Sequence, residues 1–461
     1  MVSADHPPFV PPRPEEPPIP PATWRVFGTR SYFHLWIAQV TSSMGDWIGL
    51  IAILSIAARV SNNSGAAVSL VMVARMVPGF FLATVGGVLV DRWDRRKVMV
   101  ACDFGRAALL GVLPFVDNLV GLIVVSFLLE ILTLLWGPAK DASVPHLVNE
   151  QQLSSANSLS LIAAYGTFPI GSIVFALLAV LAKWLGHFAP FSALSVDREV
   201  LALWVDGLTF LVSALIVFRL PIPHINRTEG QRIDWSQSIR DIAEGMRFIS
   251  SNALVRAVII GLGAGLIGGG AMIPLGPVFA REVLGSGSAG FGALMTALGL
   301  GGAAGVFGVI VVQRRVPGDT VFAYAVMGAG AFIIGASSSS TLLIAAPLIA
   351  LVGAFAGSAY VTGFTLLQEN VADELRGRTF ATLYTVVRLC LLLSLTVSPL
   401  FADLFDWLSG LLFRNRDVSI LGASYGLAGV RIALWVGGAV CIVAGWYSRR
   451  EMRRAHQRAV A

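Results

Sequence analysis

Four ionisable residues, Asp46, Arg75, Glu130 and Arg388, interrupt stretches of sequence that are otherwise almost wholly apolar. A charge in such a setting is costly and is kept where it pairs, binds an ion or moves a proton. Taking a helical rise of about 1.5 Å per residue, Asp46 lies about 21 Å from the start of its run and Arg75 about 14 Å from the opposite start of the next. The two therefore share a depth, and an ion pair between them is expected. Glu130 sits within Phe127-Leu128-Leu129-Glu130-Ile131-Leu132, with no cation one turn away. An apolar environment disfavours the charged carboxylate, which makes Glu130 the first candidate proton carrier and Asp46 the second. Arg388 meets Glu130 only if the fold joins two distant segments, which the sequence leaves open.

The elements that hold these residues are read from hydropathy. Of 461 residues, 56% are hydrophobic and 13% charged, too little polar material to cover a soluble globule of this length. With about 20 apolar residues per membrane crossing, spans fall at 32–58, 66–90, 98–117, 119–138, 158–183 and 200–220, then at 255–280, 287–313, 319–338, 341–366, 379–405 and 428–447. The expected fold is an all-α membrane protein of twelve transmembrane helices in two six-helix halves. Residues 1–31 form a proline-rich tail, 32–220 the first half, 221–254 a polar linker, 255–447 the second half and 448–461 a basic tail. In the linker, Asp234 to Phe248 has the apolar spacing of an amphipathic surface helix. No cleavable leader is visible in the proline-rich tail.

Of 33 Lys and Arg residues, and counting those at the edge of a span with the adjoining loop, 23 fall in the tails and in the loops on their side, against 6 in the opposite loops and 4 well inside spans. Positive charge accumulates on the cytoplasmic side, so both termini are expected there, in the cell membrane. The cations sit in separate loops and not on one stripe, which argues against nucleic acid as a partner. The carboxyl tail, with Arg449, Arg450, Arg453, Arg454 and Arg458, is expected to meet anionic lipid headgroups. Three cysteines inside apolar segments offer neither a disulfide framework nor a metal site.

Between the second and third spans, Gly87, Asp91, Arg92, Arg95 and Arg96 resemble the Gly-x-x-x-Asp-Arg-x-Gly-Arg-Arg loop of the major facilitator superfamily, with Asp94 where that family usually has glycine. The loop after the fourth span, Gly137-Pro138-Ala139 to Leu147-Val148 and then Ala156-Asn157-Ser158, and the loop after the tenth, Gln368 and Asp373-Glu374-Leu375-Arg376-Gly377-Arg378, resemble the branch that includes macrolide efflux pumps and the enterobactin exporter. The resemblance implies a gating motif that also includes Asp373, Arg376 and Arg378, in which Asp91 pairs with Arg376 and Arg378 across the halves. In the fifth span, Gly166, Pro169 and Gly171 form a degenerate match to the motif of the superfamily's exporters. Trp36, Trp47, Phe80, Phe168, Phe279, Tyr360, Phe364 and Tyr384 are candidates for lining a substrate cavity.

Together these features predict a proton-coupled antiporter, acting as a monomer, that exports amphiphilic small molecules such as drugs or siderophores by alternating access. A lipid or lysophospholipid mover of the same fold and a non-transporting sensor or scaffold are the alternatives. No His-Glu-x-x-His cluster or phosphate-binding Gly-x-x-x-x-Gly-Lys run occurs, so neither an enzyme nor ATP-driven transport is expected, and no cofactor is called for.

Overall fold

The computed structural model describes residues 27–62, 64–91, 93–149, 152–187, 199–222, 247, 252–371, 373–412, 417–420, 423–426 and 428–460. The first half comprises α1 (Arg30–Val60), α2 (Gly65–Asp91), α3 (Arg95–Val112), α4 (Leu119–Ser143), α5 (Leu153–Tyr165), α6 (Phe168–Leu185) and α7 (Val200–Phe218). The second comprises α8 (Ala253–Gly270), α9 (Met272–Val278), α10 (Gly287–Val312), α11 (Gly318–Ser338), α12 (Leu342–Asn370), α13 (Asp373–Leu412) and α14 (Gly429–Val460). Eleven described segments are long and apolar enough to cross a membrane, with α5–α6 and α8–α9 each counting as one. The 27-residue α2 is the twelfth.

Polar side chains mark where several helices begin. Thr29, Asp94, Asn118 and Asn252 lie just before α1, α3, α4 and α8, and each accepts a hydrogen bond from a first-turn amide. Asp94, the departure from the family loop, is thus the cap of α3. Prolines divide two of the expected spans. Pro169 has no amide for the Tyr165 carbonyl, and the chain breaks at Gly166 and Thr167 between α5 and α6. Pro274 likewise leaves the Gly270 carbonyl without its helical donor, and α8 ends there.

Two other expectations change. The last helix does not stop near 447 but continues to Val460, since the basic tail contains neither proline nor glycine after Gly445. A short antiparallel hairpin, β1 (Asp417–Ile420) with β2 (Ala423–Gly426), joins the last two spans, where no strand is expected from the sequence. The linker helix expected at 234–248 lies outside the described residues, Arg247 apart.

The ends of the bundle differ. We call the end bearing the start of α1 and the finish of α14 the tail end, and that of the α1–α2 turn the far end. Toward the far end one apolar core takes residues from both halves, among them Ile48, Ile53, Val68 and Phe175 with Met272, Phe279, Phe291 and Leu395. Toward the tail end the core divides. One cluster, with Tyr32, Met99, Trp136 and Val217, belongs wholly to the first half, and another, with Val255, Phe322, Leu366 and Met452, wholly to the second. Among the described residues, the halves are therefore joined at the far end and packed separately at the tail end.

Polar contacts follow the same division. At the far end, Glu199 before α7 receives Arg59 Nε at 3.2 Å and Ser288 Oγ at 2.6 Å, so an acid of the first half holds the start of α10. Asp403 of α13 accepts from the Ala66 amide at 3.3 Å, and Ser69 Oγ donates to the Leu395 carbonyl. Gly65 lets the start of α2 lie against Pro399.

Candidate functional site

The ionisable residues inside the first half converge from five helices. Arg106 of α3 is their centre, 1% exposed. Its guanidinium donates to Asp103 one turn before it, lies 3.7 Å from Asp46 Oδ2 of α1, and stacks 4.0 Å from the Phe210 ring centroid, with Trp136 at 5.5 Å. Asp103 also accepts from Ser213 Oγ of α7 at 2.8 Å. Beside this group, Arg75 Nε of α2 stands 4.0 Å from Glu130 Oε2 of α4. Asp206 of α7 completes the set, 3% exposed, with its carboxylate against Gly45 and Gly49 of α1.

Exposure separates these acids. Asp46 keeps 32% of its side chain accessible and Glu130 21%, whereas Asp103 is sealed. Arg106 can bind either neighbour and stays charged in doing so, because guanidinium does not deprotonate in proteins. Chemically, such a set of acids around two guanidinium groups can hold a proton or exchange ion-pair partners.

The pairings differ from those expected. Asp46 pairs with Arg106 and Arg75 with Glu130, not Asp46 with Arg75. Depth alone cannot choose partners among helices at the same level: α2 packs along α4, and the long Arg106 side chain reaches α1 from α3. Glu130 therefore does have a cation, supplied by a neighbouring helix and not by its own turn. Arg388 is exposed on α13, and the structure pairs it with neither Glu130 nor Asp46. Asp103, Arg106 and Asp206 are not among the four residues singled out from the sequence. The rule that selected those four, a charge within an apolar run, selects these three as well.

The aromatic candidates divide similarly. Phe279 is fully buried in the far-end core and does not line an open space, because α9 ends within the joint of the two halves. Trp36 and Trp47 of α1 donate from their indole nitrogens to the Leu159 and Ala164 carbonyls of α5 at 2.9 and 3.1 Å. Gln39 reaches Ser160 and Tyr32 reaches Ala156 in the same way, so α5 hangs on α1 by a ladder of side chains. Trp47 also packs edge-on against Phe168, 4.8 Å between centroids. Tyr360 and Phe364 of α12 lie 4.6 Å apart, and Tyr360 is exposed.

The motif of the fifth span sits at a joint. Gly166 ends α5, Pro169 opens α6, and Phe168 and Pro169 rest against Gly299 of α10 in the other half. Gly171 faces Trp47 and the Met44 carbonyl of α1, where a methyl would approach to 2.9 and 3.0 Å. In the hinge, Arg95 is buried and donates to the Ala142 carbonyl at the end of α4 at 2.9 Å, and Arg96 is half-buried on α3. Arg92 and the side chains of Phe80, Gly87, Asp91, Asp373, Arg376, Arg378 and Tyr384 lie outside the described residues.

Twelve apolar helices in two halves, with ionisable groups gathered inside one of them, define a multi-pass membrane transporter of the major facilitator fold. A family model described as transmembrane secretion effector matches residues 21–392, and the chain belongs to that family, within the major facilitator superfamily. It is 24% identical to YkuC of Bacillus subtilis (strain 168), called an uncharacterized MFS-type transporter, over 54% of this chain, and it spans only 57% of that relative's length. Macrolide efflux protein A of Streptococcus pyogenes is 25% identical over 81% of this chain and 89% of its own. Among solved structures, a bacterial homologue of the human lysosomal transporter Spinster superposes with a TM-score of 0.68 at 14% identity, over 92% of this chain and 97% of its own, a likeness of fold.

Proposed function

We propose that this transporter exports amphiphilic small molecules from the cell in exchange for protons. The observation that carries the reading is the cluster around Arg106, in which Asp46 and Glu130 are accessible acids held beside guanidinium groups. Protonation of Asp46 frees Arg106 for Asp103, and release of that proton restores the shared arrangement. Substrate and proton then compete by altering one set of charges. The direction of transport is suggested by the relative named for macrolide efflux and by the degenerate motif of the fifth span.

Placing the tail end in the cytoplasm, as the Lys and Arg distribution indicates, makes the described state closed outside and parted inside. Asp91 with Asp373, Arg376 and Arg378 is then the latch that closes the cytoplasmic end when the far-end contacts open. Trp36, Trp47, Phe168, Tyr360 and Phe364 supply aromatic surface for the cargo. The test is an efflux panel of fluorescent amphiphiles in cells with and without a protonophore. Export that survives collapse of the proton gradient, or uptake in place of export, would overturn the reading.

One observation favours a lipid as cargo. An almost wholly apolar cleft of about 480 Å³ lies where α6 meets α10 and α12, lined by Ile173, Leu177, Ala297, Leu300, Pro347 and Ala350, at the junction of the halves. Transfer of a labelled lysophospholipid between leaflets in proteoliposomes, with no effect of the soluble amphiphiles, would favour it.

A further inference from the structure

Among the described residues, Asp206 is the one acid of the buried cluster with no cation at ion-pair distance. Its carboxylate Oδ1 faces Gly45 and its Oδ2 faces Gly49, one helical turn apart on α1, and a side chain at either glycine would overlap it. Oδ1 is fully buried and has no hydrogen-bond partner. The charges that act on Asp206 are Asp46 from α1, Arg106 from α3 and Arg75 from α2. From α3, Cys102 and Asp103 also border the cluster, while α6 carries only Lys183, near its far end and exposed. Thr209 donates to the Asp206 backbone carbonyl at 2.7 Å, and its hydroxyl lies beside the carboxylate as the one polar side chain from the same helix that bears on it.

The charge balance of this group is unfavourable if every acid is ionised. Two cations, Arg75 and Arg106, face four carboxyls, Asp46, Asp103, Glu130 and Asp206. Arg106 already serves Asp103 and Asp46, and Arg75 serves Glu130. A carboxylate sealed from water with neither a counter-ion nor a complete set of donors neutralises by taking up a proton. The Gly45 and Gly49 surface fits the neutral form, since it offers no hydrogen bond to hold a negative oxygen.

We propose that Asp206 is a proton-binding site of this transporter, a neutral acid held against the Gly45–Gly49 face of α1 that exchanges its proton through Asp46. Deepening the proton-driven reading above, it supplies a second, dry position for the coupling proton. When Asp46 passes a proton to Asp206, one O–H bond breaks and another forms. The cluster keeps its total charge, and Asp46 becomes free to pair with Arg106. Asp46 is the acid that α1 brings to this place: it follows Gly45, and its charge acts on Asp206 before that of either arginine.

The test is infrared spectroscopy of the purified full chain in detergent at neutral pH. The wild type is expected to show a protonated-carboxyl C=O band that D206N lacks. Gly49→Ala keeps every carboxyl yet presses on Oδ2, and should shift that band. On transfer to heavy water, the deuterium-induced shift of the band should be at least tenfold slower in Asp46→Asn. A D206N spectrum identical to wild type overturns the site, and an unchanged exchange rate in Asp46→Asn overturns the route. Failure of D206N to fold would also count against a neutral acid, which an amide of the same shape replaces. Sodium-dependent thermal stability that D206N abolishes would assign the position to a metal cation instead. The band is read without transport, so failure of proton-driven export leaves this result independent.

Discussion

Asp403 of α13 accepts a hydrogen bond from the backbone amide of Ala66, so an acid of the second half caps the first turn of a helix in the first. The partial positive charge at the start of α2 favours a carboxylate there. At the other end of α2, the gate implied by the family resemblance would set Asp91 against Arg376 and Arg378 near the start of α13.

Asp403→Ala should loosen the far end. Loss of a helix cap costs about 1 kcal/mol, or roughly a fivefold shift in the balance of two states. A cysteine introduced at position 69, where Ser69 now bonds the Leu395 carbonyl, should label faster from the far side in this variant. Equal labelling rates would show that the cap does not hold the gate.

Glu199 ties three segments together, and its removal should act more strongly. A hydrogen bond to a charged group contributes about 1.5–3 kcal/mol. Glu199→Ala and Ser288→Ala, measured singly and together by thermal unfolding, should couple by an amount in that range. Additive losses would mean that the 2.6 Å contact contributes nothing of its own.

The Arg75–Glu130 pair predicts a specific pattern of expression. Removing one member leaves the other charged in an apolar setting, at a cost of about 3–5 kcal/mol. Arg75→Ala and Glu130→Ala should each give less folded protein than the double variant. Asp46→Ala combined with Arg75→Ala should show no such rescue, which separates the observed pairing from the one expected from depth.

Gly171→Leu should disrupt the α1–α6 contact. Even a methyl there approaches the Met44 carbonyl and the Trp47 side chain, and overpacking of this kind costs typically about 1–3 kcal/mol. The midpoint of thermal unfolding should fall accordingly. A stability equal to wild type would mean that α6 is free to move away from α1.

Much of this protein is determined by its sequence alone. Twelve apolar runs of membrane-crossing length dictate twelve helices, because backbone groups in lipid must be satisfied within the segment. The hinge and the two further motifs identify the superfamily, but proline alone does not tell which spans break: Pro169 and Pro274 fall at breaks, whereas Pro78, Pro138, Pro347 and Pro399 lie inside continuous helices. Asp46, Arg75 and Glu130 stand out because charge in an apolar run is rare.

What only the tertiary structure decided is who meets whom. Hydropathy carries depth but not azimuth, so Asp46 and Arg75 at one level looked like partners until the packing of α2 on α4 and of α3 on α7 assigned them to Glu130 and Arg106. The same limit hid the isolation of Asp206, which depends on two glycines more than 150 positions earlier in the chain. The joining of the halves at one end and their separate packing at the other was also invisible, since each apolar residue suits lipid, its own half or the opposite half equally well. Only the packed arrangement distinguishes these, by fixing which side chains share a core.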